Sequence, residues 1–268
     1  MNLLQAVILG CVQGLTEFVP ISSSAHLVLV PTALGWPSPP LAFDVMLHAA
    51  SLLAVVAYFR REIGDLVIGS FRPGPGRKLL AILVVATIPA ALAGLLFEES
   101  VERALDKPKL VCVFLIGTAG VLTLSEVISS RRRRDESAVR DQLAMSGVGF
   151  GAALSMGIAQ AAAILPGLSR SGMTIGAGLV GGLDRNTAAR FSFLMSIPVL
   201  TGASLVQLPE LTRTNIPLTA LVLGFIASLL TSYLSIAAMI GYLKRKGLYP
   251  FAIYCVLAGA AGLILLPP

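Results

Sequence analysis

The sequence predicts an all-α polytopic membrane protein, with six transmembrane helices plus two re-entrant helix–break–helix hairpins in an inverted-topology repeat. Three observations predict it. Of 268 residues, 56% are hydrophobic and 13% charged, with a mean hydropathy of +0.85; soluble domains carry about 25% charged residues. Apolar runs recur at about the 20 residues that a membrane-crossing helix needs. Two of the runs are broken by proline, and polar side chains cluster at each break.

The elements follow in order. Residues 2–16 are apolar and helical in character, Pro20 breaks the run, and 23–34 resumes it until Leu34-Gly35-Trp36-Pro37. Each half is too short to cross about 30 Å of hydrocarbon. Residues 2–35 therefore read as a hairpin that dips in and returns, with Trp36 at an interface, where tryptophan is enriched. Spans follow at 41–59, 79–97 and 110–128. Residues 129–142 form a basic linker with Arg131, Arg132, Arg133 and Arg134 in a row. A second hairpin, 143–182, breaks at Leu165-Pro166-Gly167, and spans follow at 187–208, 216–240 and 248–266. The whole chain, 1–268, reads as one membrane domain. The segment MNLLQAVILGC has no lysine or arginine, so it lacks the basic start of a signal peptide and reads as mature protein. Cys11, Cys112 and Cys255 lie in apolar runs and read as small packing residues rather than a disulfide framework.

Charge sets the orientation. Loop 60–78, the 129–142 linker, Arg185 and Arg190, and Lys244, Arg245 and Lys246 together hold 15 of the 20 lysines and arginines. All fall on one side if both broken regions return to the side they entered from. Loop 98–109 is acidic by contrast, with Glu98, Glu99, Glu102 and Asp106. The positive-inside rule makes the basic side cytoplasmic and puts both termini outside. An orientation signal accounts for the arginine run, so the net charge of +6 calls for no nucleic acid.

The chain also repeats. Gly10-x-x-Gln13 recurs as Gly157-x-x-Gln160, and Ser22-Ser23-Ser24-Ala25 recurs at the same offset as Ser169-Arg170-Ser171-Gly172. Pro20 and Pro166 break the two hairpins, and Phe43 and Phe191 open the spans that follow. Each half, 1–128 and 143–268, is a hairpin plus three crossings. Three is odd, so the second half is inverted. Inverted repeats place a site near the midplane, where broken helices meet.

The second hairpin reads Pro166-Gly167-Leu168-Ser169-Arg170-Ser171-Gly172-Met173-Thr174. A guanidinium at membrane depth needs an anionic partner, and its planar fork suits carboxylate or phosphate oxygens. Ser169, Ser171 and Thr174 add hydroxyls, and a helix restarting after the break aims its N-terminal amides at the same spot. This pattern is a phosphate cradle; an Arg170–Glu17 tie that merely joins the hairpins is the plain structural reading. The first hairpin supplies proton chemistry. Glu17 can act as a general base, bind a divalent cation or orient Arg170. His26 can be acid, base or nucleophile, and Ser23 is a second nucleophile candidate. Ser22 and Ser24 either cap the resuming helix or contact substrate. Asp44 and His48 are four apart on one helix face and support the site or serve packing. Gln13 is buried by pattern and able to bond across to the other hairpin.

The run Gln13 to His26, QGLTEFVPISSSAH, resembles the first signature of the undecaprenyl pyrophosphate phosphatase, or bacitracin-resistance, family, and Pro166 to Thr174 resembles its second. The segments Phe191–Pro198 and Pro250–Tyr254 are similar as well, so the likeness covers essentially the whole chain. It implies a membrane enzyme that removes the terminal phosphate of a C55 polyprenyl diphosphate, regenerating the monophosphate carrier for cell-wall polymers. It implicates Glu17, Ser23, His26, Ser169, Arg170 and Thr174, together with a divalent cation, Mg2+ or Ca2+. The family's first signature often has a second Glu where this chain has Gln13, which shifts weight onto Glu17 as the metal's carboxylate. The partners implied are the lipid diphosphate and membrane lipids. The outer face is the expected opening, because the first hairpin enters from there. A polyprenyl-phosphate flippase on the same repeat is the competing reading, and a bare scaffold would not place Arg170 and Glu17 in lipid. The small residues Gly176, Gly178, Gly181 and Gly182 suit close packing within the chain or in a homodimer.

Overall fold

Twelve helices make up the fold in a computed structural model that describes residues 1–71, 73–135, 147–212 and 215–266. They are α1 (Leu3–Phe18), α2 (Ser23–Ala33), α3 (Leu41–Tyr58), α4 (Arg60–Ser70), α5 (Pro75–Leu105), α6 (Pro108–Asp135), α7 (Phe150–Ala162), α8 (Arg170–Val180), α9 (Arg185–Val206), α10 (Leu208–Thr212), α11 (Leu218–Leu243) and α12 (Tyr249–Leu265). No strand occurs among the described residues. Five helical stretches are long and apolar enough to cross a membrane: Leu41–Tyr58, Pro75–Phe97, Pro108–Arg131, Arg185–Val206 and Leu218–Leu243. At 17 residues, α12 is the longest of the shorter apolar helices, beside α1 and α7. Leu95, Leu96, Leu234, Leu257 and Ile264 lie largely exposed, as expected where lipid rather than water surrounds a multi-pass bundle.

Local chemistry explains where the helices start and stop. Asn2 and Gln5 form a reciprocal capping box at the head of α1: Gln5 N donates to Asn2 Oδ1 (2.8 Å) and Asn2 N to Gln5 Oε1 (2.9 Å). Proline disfavours helical backbone in the residue before it; Val19 is accordingly extended (φ −74°, ψ 137°) and α1 stops at Phe18. Ser22 caps α2, Ser169 caps α8, and the Asp184 carboxylate caps α9 by accepting from Asn186 N and Thr187 N.

The first broken helix packs along α11 and the second along α5, while α3 lies on α11 and α9, and α6 on α12. The glycine pair Gly10 and Gly157 does the same work in both places. A methyl group on Gly10 would overlap the Gly224 carbonyl of α11, and one on Gly157 would overlap the Ala86 carbonyl of α5. At the centre, Phe18, Phe59 and Phe193 meet edge to face, with Phe18 and Phe193 centroids 5.2 Å apart, and Ser51 of α3 bonds Ser232 of α11 (3.0 Å).

Three expectations change. Part of loop 60–78 is helical as α4. The acidic loop 98–109 is mostly the last turns of α5, which runs to Leu105. The linker expected at 129–142 is helical through Asp135, because arginine is a good helix former and cations suit a helix C-terminus; its remainder, and the hairpin start at 143–146, lie outside the described residues. Arg185 and Arg190, counted as orientation charges, are also ion-paired: Arg185 with Glu126 of α6, and Arg190 Nη2 with Glu62 Oε1 of α4 at 2.6 Å.

Candidate active site

The two breaks meet. At the first tip, Ser22 takes a positive φ of 70°; at the second, Gly167 does so at 105°. A side chain on Gly167 would overlap the Val111 carbonyl of α6, so glycine is required there for both conformation and space. The tips are tied together. Gly167 N donates to Ser24 Oγ (3.3 Å), and Ser171 Oγ donates to the Val19 carbonyl (3.2 Å). From α6, Thr118 Oγ1 donates to the Gly167 carbonyl (3.0 Å) and accepts from Ser169 N (2.9 Å).

Glu17, the last charged residue before the first break, lies at the centre of the contact. Arg170 Nη2 donates to its Oε1 at 2.6 Å. Its Oε2 accepts from Ser23 Oγ at 2.6 Å and from Gln13 Nε2 at 3.0 Å. His48 Nε2 lies 3.8 Å from the same oxygen. The four groups come from α1, α2, α3 and α8. Only 7% of Glu17 is exposed, and the Arg170 guanidinium lies over the Phe18 ring, 5.9 Å from its centroid. The fork is half used. Arg170 Nη1 is buried without a hydrogen-bond partner, and so is Gln13 Oε1. Buried polar atoms are nearly always bonded, so the vacant donor marks a place for a further acceptor.

The other expected residues occupy distinct places. Ser22 Oγ caps α2 at Ala25 N (3.4 Å) and shares a bond with Ser24 Oγ (3.2 Å). Ser169 Oγ caps α8 at Gly172 N (3.1 Å) and contacts Ser171 Oγ (3.2 Å). Thr174 Oγ1 donates to the Arg170 carbonyl (2.8 Å) and pairs with Ser192 Oγ of α9 (2.6 Å), so its hydroxyl is taken up within the protein. The His26 ring bonds neither Glu17 nor Arg170; its nitrogens meet the Ser22 carbonyl (2.7 Å) and the Tyr254 hydroxyl of α12 (2.6 Å). His48 Nδ1 donates to the Asp44 carbonyl (2.8 Å), and Asp44 Oδ1 is buried without a partner. Sequence reasoning did not single out Thr118, Ser192 or Tyr254 for the site. Ser192 and Tyr254 each carried one signal, their places in the Phe191–Pro198 and Pro250–Tyr254 segments.

The donor set does not fit a resident divalent cation held by Glu17. Both carboxylate oxygens are already engaged, one of them by a guanidinium, and no three His, Cys, Asp or Glu gather among the described residues. Mg2+ often takes only one or two carboxylates and draws its remaining oxygens from substrate phosphates and water.

Chemically, the arrangement offers a hydroxyl bonded to a carboxylate, a guanidinium with an open prong, and an α8 N-terminus at one buried point. That is equipment for transfer of an anionic group. The family model described as bacitracin resistance protein BacA matches residues 6–261. The chain is 40% identical over 276 residues to the undecaprenyl-diphosphatase of Geobacter metallireducens, covering 99% of each chain. It is 44% identical over 268 residues to that of Moorella thermoacetica and 42% over 276 to that of Methanobrevibacter smithii, covering 97% of this chain and 96% of the relative in both cases. With a family match across nearly its whole length, the chain belongs to the BacA bacitracin-resistance family.

Proposed function

We propose that this protein is an integral membrane phosphatase that hydrolyses undecaprenyl diphosphate to the monophosphate and inorganic phosphate, recycling the lipid carrier for cell-wall synthesis and conferring bacitracin resistance. The observation that carries the reading is the half-used Arg170 fork beside a Ser23 hydroxyl already bonded to Glu17. The terminal phosphate binds at the vacant prong. Ser23 Oγ attacks its phosphorus, and the hydroxyl proton passes along the 2.6 Å bond to Glu17 Oε2. The bond to the bridging oxygen breaks, and that oxygen leaves with its electron pair on the lipid monophosphate. Water then attacks the phosphoserine phosphorus; the bond to Ser23 Oγ breaks with its electron pair on Oγ, which takes its proton back from Glu17, and phosphate departs carrying both water protons. Protonation of Glu17 also weakens its hold on Arg170 at the moment when charge grows on the phosphoryl oxygens. The guanidinium is thereby freed to meet them with both prongs. Phosphoryl transfer depends mostly on such positioning and charge stabilisation. Ser24 and Ser171 hold the two tips in register, Ser22 and Ser169 cap the helices that restart there, Thr174 ties α8 to Ser192 of α9, and His48 and Asp44 back the carboxylate from α3.

We further propose the finer topology: six crossings, with α1–α2 and α7–α8 as re-entrant hairpins of two inverted repeats, both termini outside and the site open to the outer face. The matched packing of Gly10 on α11 and Gly157 on α5 supports it. A divalent cation, Mg2+ or Ca2+, enters with the diphosphate as part of the substrate complex.

The test is phosphate release from C55 diphosphate by purified protein in detergent, where no sealed bilayer exists and transport has no meaning. Wild type should turn over, and Ser23→Ala should lose turnover by at least the roughly 100-fold typical of a lost catalytic proton-transfer partner. A wild-type protein that releases no phosphate overturns the reading.

A further inference from the structure

We propose that Tyr254 is a positioning residue for the reaction, acting through His26, which clamps the Ser22 carbonyl and carries no proton in the chemistry. The inference rests on the hydrolase reading above.

The argument begins with the backbone. Among the described residues, Ser22 is the one non-glycine residue with a positive φ, at 70° with ψ 101°. Such a conformation persists only where its surroundings hold it, and here it directs the next residue, Ser23, onto Glu17. The holding group is His26. Its backbone N–H (3.3 Å) and its ring Nδ1 (2.7 Å) both meet the Ser22 carbonyl. A carbonyl oxygen only accepts, so Nδ1 carries the ring proton. Nε2 then bears the lone pair, and the Tyr254 hydroxyl lies 2.6 Å away and donates to it. The tyrosine ring also stacks on the imidazole, 5.6 Å between centroids and 11° from parallel. Both ring nitrogens are therefore engaged, and the ring's tautomer and plane are set from α12. The same helix touches the same tip a second time, where Cys255 Sγ lies 3.8 Å from the Pro20 carbonyl. An acid–base histidine needs a nitrogen within reach of the proton it moves. In His26 that nitrogen is capped by Tyr254, whereas Ser23 already has Glu17 as its proton acceptor.

The chain runs Tyr254 to His26 to the Ser22 carbonyl to the direction of Ser23. Its loss displaces the nucleophile without removing any reacting group. A misplacement of about 1 Å costs roughly 100-fold in rate, so His26→Ala should lose that much. His26→Asn separates the two roles. Its amide nitrogen can stand near the position of Nδ1 and donate to the Ser22 carbonyl, but it carries no proton between groups. It should retain turnover within about tenfold of wild type, one hydrogen bond's worth. Tyr254→Phe should lower kcat by about tenfold with KM unchanged, and should add nothing in the His26→Asn background. An activity-independent reading is available because the chain has two histidines. In 15N-histidine-labelled protein in detergent, with His48→Gln to leave one ring, His26 should show a protonated Nδ1 and a bare Nε2 whose signal shifts in Tyr254→Phe. The proposal is overturned if His26→Asn is as inactive as His26→Ala, if Tyr254→Phe matches wild type, or if the His26 ring is protonated at Nε2. Should wild type release no phosphate, the proposed function falls on its own, and the labelled spectra still decide the clamp.

Discussion

Two buried carboxylate–guanidinium pairs tie this bundle together, and they are built differently. At the junction of α6, α9 and α12, Glu126 is met by two nitrogens of Arg185, Nη2 on one oxygen and Nε on the other (3.3 Å), and its Oε2 also accepts from Leu248 N (3.0 Å). No polar side-chain atom of either residue is left buried and unbonded. At the hairpin tips, Glu17 and Arg170 share one hydrogen bond, and the other terminal nitrogen of Arg170 is buried without a partner. The charges, residue types and depth of burial are alike. What differs is unspent hydrogen-bonding capacity. The closed pair holds three helices at one point; the open pair keeps a buried donor unspent, the place where the proposed phosphate would bind.

The largest expected effect falls on the closed pair. Glu126→Ala leaves a buried guanidinium uncompensated, a change that costs about 3–5 kcal/mol when one partner of such a pair is removed. Denaturation in detergent should show that loss, while the folded fraction turns over as wild type does. If Glu126→Ala instead abolished turnover in folded protein, the division into a structural pair and a chemical pair would fail. Arg170→Ala should invert the pattern. Losing one preorganised donor to developing charge costs about 3–4 kcal/mol of transition-state stabilisation, read as kcat/KM for phosphate release. Stability should fall less than in Glu126→Ala, because Glu17 keeps Ser23 and Gln13 on its other oxygen. Arg170→Lys should restore little, since a point charge cannot hold Glu17 and a phosphate oxygen with separate prongs.

The same contrast explains what could be read in the chain beforehand. The Glu17–Arg170 meeting was legible because a charge in an apolar run must find a partner, and each of these two sits beside a proline break with hydroxyls around it. Glu126 and Arg185 obey the same rule. They escaped notice because Arg185 stood among loop charges that an orientation signal already explained, and Glu126 stood near the polar end of its span. The site's outer supports were harder. Thr118, Ser192 and Tyr254 reach the tips from α6, α9 and α12, and what makes each important is the turn of its helix that faces a tip. That depends on packing, as in Gly259 of α12 against Ile116 of α6, and no local pattern states it. The helical run through Arg131–Arg134 was missed for the opposite reason. Charge suggested a linker, where helix propensity favoured continuing α6.

A smaller effect sharpens the role of the cation. Gln13 donates its amide to Glu17 Oε2 and leaves its own carbonyl oxygen buried and unpaired. Gln13→Glu places a second carboxylate beside the first. Two neighbouring carboxylates repel each other, which disfavours ionising both and favours a cation between them, and Mg2+ is well served by one or two carboxylates plus phosphate oxygens. In protein stripped with a chelator, phosphate release by Gln13→Glu should become half-maximal at a lower Mg2+ concentration than in wild type. An unchanged Mg2+ titration would mean that the ion never approaches this side of the open pair.

The smallest effect tests whether the open pair depends on the ties between the tips. Ser24 accepts from Gly167 N at 3.3 Å and is half-buried, so water can take its place. Ser171 is buried and donates to the Val19 carbonyl at 3.2 Å. Each tie is worth about 0.5–1.5 kcal/mol as an ordinary hydrogen bond, so Ser24→Ala should slow phosphate release by about tenfold or less, and Ser171→Ala should slow it somewhat more because the buried Ser171 hydroxyl cannot be replaced by water. Both ties fix one distance, that between Ser23 on the first tip and Arg170 on the second. If that distance is what the reaction needs, the double variant should depart from additivity by about 0.5 kcal/mol or more, as coupled neighbours do. Strict additivity in kcat would mean that the tips are held by their helices, α1 on α11 and α7 on α5, and that the two serines serve their own helix ends alone.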